Sequence, residues 1–480
     1  MNRLVVVSNR VPLPTERGPR AGGLAVALTD ALRPGSLWFG WSGRRVARAA
    51  SQPELQEAGG INYATIDLSE TDYRLFYAGF SNGVLWPLLH YRLGLLSYRT
   101  EEYEGYRAVN RRFAACIAPL LRPGDLIWVH DYHLIPLGEE LRRLGVDNRI
   151  GFFLHVPFVP PELLRALPHA EDMLRAFGAY DVAGFHTRGH CAAFLACMRE
   201  LLGLVPDRSG RIACNGRWLR PIVDPVGIDA EGFAAMARSA ARGVEAKRMQ
   251  TSLSDRMLAI GVDRLDYSKG LVHRFEAFVR LLARHPEHRR KVSLLQIAPR
   301  SREDLGAYQS LRQELDRIVG DTNGQFSEFD WVPLRYMTRA LGRRTLAGFY
   351  RIARLGVVTP LRDGMNLVAK EFVAAQDPED PGVLVLSQFA GAADDLKDAL
   401  LVNPFDADEI AEAMHSALVM SIDERRQRYQ SLRARVWENT ASRYCEAFLS
   451  HLSPPPIGRP RLRVVPAPAD PTTELAASGS

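Results

Sequence analysis

Leu355–Gln376 reads LGVVTPLRDGMNLVAKEFVAAQ. Leu355–Thr359 is a short apolar run ending in three β-branched residues, the pattern of a buried strand. Pro360 cannot donate to a strand ladder and ends it, and Asp363–Gly364 makes a tight turn. A helix follows from about Asn366. A buried strand feeding a helix is half of the crossover unit that builds parallel sheets. In such sheets ligands sit beyond the carboxyl ends of the strands. The free N–H groups of Leu367 and Val368 at the helix start suit an anion. One turn on, the carboxylate of Glu371 can accept hydrogen bonds from both hydroxyls of a ribose. The other reading of Glu371 is a buried cap or ion pair. Phosphate at a helix N-terminus and an acid for ribose make a nucleotide site, compatible with hydride transfer or with glycosyl transfer.

The same rhythm runs outward in both directions. Strands are expected at Leu4–Ser8, Leu126–His130, Arg149–His155 and Arg220–Asp224, then at Arg256–Val262, Val292–Ala298, Leu355–Thr359 and Gly382–Ser387, with helices between. Ala407 to about Leu452 has helical periodicity. A polar, helix-like stretch near 240–255 marks a lobe boundary. The chain of 480 residues thus divides into a lobe 1–245, a second lobe 246–452, and a tail 453–480 rich in Pro, Ala and Ser that is expected to be disordered. The fold class is α/β, two doubly wound lobes facing across a cleft.

Charged residues gather at the predicted strand ends. In Ile260–Gly270 (IGVDRLDYSKG), Arg264 and Lys269 follow an apolar strand and precede an amphipathic helix. Two fixed cations there can neutralise charge growing on a leaving phosphate; the alternative is a surface pairing of Arg264 with Asp263 or Asp266. In the first lobe, Arg10 ends strand one and could fork onto a phosphate. Gly22 and Gly23 permit close backbone approach to a ligand. Tyr77 and Trp86 lie in an aromatic stretch that either walls a sugar or is core. Asp131 follows LIWVH, His155 ends RIGFFLH, and Arg302 follows SLLQIAP.

Composition removes other classes. With 46% apolar and 24% charged residues the chain is an ordinary globular protein. It has no apolar run of about 18 residues, so no membrane helix is expected, and no signal-like N-terminus. Five scattered cysteines form no CxxC pair, which points to a reducing cytoplasm. The net charge of +6 is spread along the chain and mixed with acids, so nucleic acid is not the expected partner. His130-Asp131-Tyr132-His133 and His186–His190 lack a third ligand at metal-site spacing, and no metal is expected. There is no GxGxxG for a dehydrogenase, and no DxDx[TV] strand end for a fused phosphatase.

Taken in order, VVVSNR, AGGLAVAL, LWFGWSG, SNGVLWPLLHYR, WVHDYHL, NRIGFFLHVPF, RLDYSKG, QIAPRSR and TPLRDGMNLVAKE resemble the trehalose-6-phosphate synthase family. These are retaining glucosyltransferases of family 20, with two facing Rossmann-like lobes in the GT-B architecture. The resemblance spans about Leu4 to Leu452. It implies transfer of glucose from UDP-glucose to glucose 6-phosphate, without cofactor, metal or covalent enzyme intermediate. By the same resemblance Arg10, Tyr77, Asp131 and Arg302 bind the acceptor, while Trp86 and His155 line the sugars and select the α-anomer. Gly22, Gly23, Arg264, Lys269, Leu341 and the run Leu367, Val368, Ala369, Lys370 and Glu371 bind the donor, and Asp363 holds the donor glucose hydroxyls. Leu341 replaces a larger aromatic near the uracil, leaving the nucleobase open among UDP, ADP and GDP; glycerol 3-phosphate is the rival acceptor. A separate phosphatase would finish the pathway, and a dimer or tetramer is compatible with the family. A catalytically silent sugar-phosphate sensor is the alternative of another class, and it would have shed some of Arg264, Lys269, Asp363 and Glu371.

Overall fold

The computed structural model describes residues 2–14, 28–29, 32–302 and 306–453. Gly22, Gly23 and positions 454–480 of the expected tail lie outside the described residues.

Two sheets organise the chain. The first has the order β3-β4-β2-β1-β5-β6-β7-β9-β8. Its strands are β1 (Leu4–Arg10), β2 (Leu37–Val46), β3 (Glu54–Ala58), β4 (Ile61–Ser69), β5 (Leu126–His130), β6 (Arg149–Leu154), β7 (Val182–Phe185), β8 (Ile212–Cys214) and β9 (Arg217–Val223). Only the edge pairs β3/β4 and β8/β9 are antiparallel. The second sheet, β12-β11-β10-β13-β14-β15, is parallel throughout. It comprises β10 (Met257–Val262), β11 (Val292–Ile297), β12 (Leu334–Met337), β13 (Leu355–Val358), β14 (Val383–Ser387) and β15 (Leu400–Val402). Two α/β lobes are therefore present, as the alternation of apolar runs and helices implies.

The central strands are apolar on both faces because helices cover both. In β1, Val5 and Val7 join one core while Leu4 and Val6 join another. That second core continues into the second lobe through Leu258, Ile260 and Leu295. Chain crossings stitch it. Helix Ala230–Ala240 lies against helices Arg343–Ile352 and Leu367–Ala375, and helix Ala441–Leu452 returns to β6 and β7, where Phe448 stacks on Trp128 at 4.5 Å.

Strand order fixes the site. In the first sheet the chain runs outward from β1 in one direction through β2 and in the other through β5. In the second it diverges between β10 and β13. Each divergence opens a crevice at the strands' carboxyl ends. Arg10 ends one strand flanking the first crevice and Asp131 follows the other; Arg264 and Asp363 follow those flanking the second.

The expected strands are present within a residue or three at each end. Not anticipated were β2, β3, β4, β7, β8, β12 and β15, and the segment Tyr73–Leu85 (YRLFYAGFSNGVL), a π-helix whose last turn closes with Trp86 N–H donating to the Ser81 carbonyl. Two glycines and a run of aromatics hide its helicity. The wide turn puts Phe76, Phe80, Val84 and Leu85 on one buried face, and π-turns concentrate at functional sites.

Candidate active site

The second lobe's loop after β10 is built on buried charge. Arg274, in the first turn of helix Leu271–Arg284, has 0% exposure. Its guanidinium donates to Asp263 Oδ2 (2.7 Å), Gln296 Oε1 (2.8 Å), Thr359 Oγ1 (3.0 Å) and the Lys269 carbonyl (3.3 Å). One side chain thus ties β10, β11 and β13 to the backbone of Lys269. Asp266, also enclosed, accepts from Ser268 N–H (2.9 Å), Arg302 (3.0 Å), Tyr308 (3.0 Å) and, across the lobes, Trp86 Nε1 (3.4 Å). Both carboxylates are thus held by Arg274 and Arg302, not by Arg264 in a surface pairing. Arg264 is exposed, its guanidinium carbon 5.6 Å from the centre of the Trp86 ring.

The loop after β13 faces it. Asp363 accepts from the Lys269 amine, from Asn366 Nδ2 (3.0 Å) and from Gly364 N–H (3.0 Å). Burial works to raise its pKa, but Lys269 and these donors outweigh burial and hold it below the ordinary carboxylate value. Asn366, at φ 70°, caps helix Leu367–Ala375 by accepting from Ala369 N–H. The N–H groups of Leu367 and Val368 form no hydrogen bond outside the helix among the described residues, and both residues are half-buried. Burial pushes Glu371 up to about 7, against the pull of Arg343 at 3.6 Å. Leu341 packs half-buried on the shared core. Lys370 turns away from this mouth: its amine is buried, bound to Asp395 Oδ2 (2.9 Å) and the Val226 carbonyl (3.0 Å).

An aromatic path lines the first lobe. The Arg10 guanidinium donates to the Ser42 carbonyl and lies 5.8 Å from the Trp41 ring centre. Gly43 (φ +86°) leaves it room, since a Cβ there would fall 0.7 Å from Arg10 Nη1. From Trp41 the path continues to Tyr77 (5.5 Å), His133 (5.9 Å, interplanar 9°), Tyr132 (3.9 Å) and Trp86 (5.7 Å). Arg302 closes it from the other lobe, 3.9 Å over Trp86 with Nη2 donating to Tyr132 Oη at 3.2 Å. Asp131 sits at the strained φ of 75°. Its Oδ1 accepts from His155 N–H (3.2 Å), and burial lifts its pKa to about 6 against the backbone N–H donors of Tyr132 and His155.

The lobes meet backbone to backbone. A Cβ on Gly364 would lie 1.9 Å from the His155 carbonyl oxygen. Trp86, Asp131 and His155 are thereby brought to one mouth with Arg264, Lys269, Asp363 and Arg302; the Lys370 side chain points away from it. Sequence reasoning missed Trp41, Tyr132, Asp266, Arg274 and His130. Arg274 reads as a solvated charge on an amphipathic helix, and only the fold reveals it as buried. Among the described residues, His285, Glu287 and His415 form a group of metal-ligating type at the far end of helix Leu271–Arg284. The two imidazoles there are stacked at 3.7 Å and 13°, so their lone pairs do not converge on one ion.

Residues 2–454 match glycosyltransferase family 20. The chain is 48% identical over 462 residues to the trehalose-6-phosphate synthase of Sinorhizobium fredii, covering 94% of this chain and 98% of that protein. It superposes with a TM-score of 0.91 and 47% identity on an α,α-trehalose-phosphate synthase (UDP-forming) from Burkholderia xenovorans in complex with glucose 6-phosphate, covering 94% of this chain and all of that one. An Escherichia coli structure bound with UDP-2-fluoro glucose matches with a TM-score of 0.89 and 44% identity, over 94% and 99% of the two chains.

Proposed function

The chain belongs to glycosyltransferase family 20, and from that premise we propose how its cleft transfers glucose from UDP-glucose to glucose 6-phosphate, releasing UDP and trehalose 6-phosphate. One observation carries the assignment: a helix N-terminus, with the N–H groups of Leu367 and Val368 open, is preceded by Asp363, bonded to Lys269, and by Gly364, which abuts His155 of the other lobe. The diphosphate is assigned to that N-terminus and the two cations, the ribose to Glu371, and the donor glucose to Asp363 and His155. Donor entry then requires Lys269 to exchange its bond with Asp363 for one with phosphate. The acceptor lies along the path from Arg10 through Tyr77 and Trp86 to Arg302, with Asp131 at its sugar.

Retention follows from what the site offers. A retaining glycosidase needs a nucleophilic carboxylate about 5–5.5 Å from its acid. Here Asp363 is held by Asn366 Nδ2 and the Gly364 N–H, and Asp266 by Arg302 and Tyr308. In a same-face transfer the bond from donor C1 to the phosphate oxygen breaks, the acceptor's anomeric oxygen bonds C1 on that face, and its proton passes to the leaving phosphate. Charge growing on the diphosphate is stabilised by Arg264, Lys269 and the helix dipole. Contact between the lobes excludes water that would otherwise hydrolyse the donor.

We divide the chain into an acceptor lobe 1–245 and a donor lobe 246–452, and read a separate phosphatase as the consumer of the product. Among the described residues no helix is long and apolar enough to cross a membrane; with five buried cysteines, none in a disulfide, this supports a cytoplasmic enzyme. Turnover with UDP-, ADP- and GDP-glucose against glucose 6-phosphate and glycerol 3-phosphate tests the assignment. The highest turnover should come from UDP-glucose with glucose 6-phosphate; absence of turnover with glucose 6-phosphate under every donor would overturn it.

A further inference from the structure

Behind His155 lies a second imidazole that the roles above do not use. His130, the last residue of β5, is fully buried, and its Nδ1 lies 3.0 Å from His155 Nε2. The two rings are nearly parallel, 5.2 Å apart. Burial holds both well below the usual imidazole pKa, His155 at about 3, so both are neutral and one proton serves the bond between them.

Two arrangements satisfy that bond. If His155 donates from Nε2, then His130 carries its own proton on Nε2. His130 Nε2 is buried with no hydrogen-bond partner, so this leaves an orphan N–H, the rarer kind of unsatisfied group in native interiors. The neighbouring Trp128 ring, 4.6 Å away, has an unpartnered Nε1 as well. That group can only donate, so it could not satisfy an N–H on His130 Nε2. If His130 donates from Nδ1 instead, its Nε2 is left a bare lone pair with no orphan N–H, and His155 carries its proton on Nδ1. The third imidazole does not interfere: His186 uses Nδ1 to accept from Val226 N–H at 3.4 Å. His155 Nδ1 is neither hydrogen-bonded among the described residues nor enclosed. Gly364 of the other lobe meets the backbone carbonyl of the same residue.

We propose that His130 is a positioning residue: by donating from Nδ1 it fixes His155 as the Nδ1–H tautomer, so that His155 presents a hydrogen-bond donor to an oxygen of the transferred sugar. This rests on reading the cleft as the site of transfer. Wild-type turnover tests that reading, while the tautomer is observed without turnover. In wild-type protein labelled with 15N-histidine, two-bond 1H–15N correlations, with the His155 ring assigned through His155→Gln, should show Nδ1 protonated and Nε2 bare. A proton on His155 Nε2 overturns the proposal.

Kinetics supply the second arm. His130→Phe keeps a stacked ring without a donor and should lower kcat/KM for UDP-glucose by about 10- to 100-fold, the usual range for losing an orienting partner. KM for glucose 6-phosphate should stay within about twofold, because the loss is confined to the donor sugar. His130→Asn restores an N–H near the Nδ1 position and should recover most of the loss. A folded His130→Phe variant with unchanged donor kinetics, or His130→Asn no better than Phe, overturns the proposal. If the Phe variant does not fold, the wild-type tautomer decides.

Discussion

Removing the guanidinium of Arg274 should loosen the donor loop and destabilise its lobe together. Arg274→Met keeps the stem but strands Asp263, whose side chain is 2% exposed. Breaking a buried ion pair from one side costs about 3–5 kcal/mol. Gln296 Oε1 and the Lys269 carbonyl also lose a donor, at roughly 1–3 kcal/mol for a group left unsatisfied. Burial already pushes the Asp263 pKa up, with Arg274 opposing; in the variant the carboxyl takes up a proton, which caps the loss. A net value of about 4 kcal/mol follows. For a lobe of about 200 residues the unfolding entropy is roughly 0.4 kcal/mol/K, so Tm should fall by about 10 °C. The donor KM should rise more than the acceptor KM, because Lys269 is the residue whose backbone is released. Adding Asp263→Asn removes the stranded charge and should return at least half of the lost Tm. Differential scanning fluorimetry with steady-state kinetics in both substrates makes the measurement. A single variant melting within about 2 °C of wild type, with unchanged donor KM, would show that Arg274 does not hold the loop.

Three further outcomes follow from the same geometry. Lys269→Ala should lower kcat by roughly 10²–10³, the effect of losing one preorganised partner of a developing charge, with the far-ultraviolet dichroism unchanged; near-normal turnover would refute its role. Glu371 has its folded pKa raised from the ordinary value to about 7, so the folded state holds the extra proton: the stability contribution is complete below the unfolded value of about 4.3 and is lost as pH rises through about 7. A ribose-accepting carboxylate must be ionised, so kcat/KM for UDP-glucose should rise through that same range, and Glu371→Gln should flatten both profiles; an unchanged profile in the variant assigns the titration elsewhere. Gly364→Ala drives a Cβ to 1.9 Å from the His155 carbonyl, where only backbone can yield, at about 1–3 kcal/mol or more. Turnover should fall with Tm, and a fully active variant would show that the lobes do not need this contact.

Much of this was legible in sequence because parallel strands buried on both faces write themselves as continuous apolar runs, as in LVVV, LIWVH and VSLLQI. Their loops then stand at the strand ends, where Arg10, Asp131, Arg264 and Asp363 could be singled out. What stayed hidden is of two kinds. The π-helix Tyr73–Leu85 has no 3.6-residue period to detect. Arg274, Asp266 and His130 are buried polar groups whose partners come from up to 180 residues away, as with Asp266 and Trp86. Charge on a helix face looks solvated until the fold places another carboxylate beneath it. Lys370 is the converse: it continues a run of expected donor contacts, yet helical geometry turns its side chain toward Asp395 and Val226.

We read the reaction as a same-face transfer between two phosphorylated substrates held by opposite lobes. The most direct test is the structure of the product formed from UDP-glucose and glucose 6-phosphate, read by NMR alongside UDP release. An α,α-1,1-linked disaccharide carrying one 6-phosphate, formed in equal amount with UDP, is the predicted result. A β linkage at the transferred glucose, or UDP release that does not depend on glucose 6-phosphate, would contradict it.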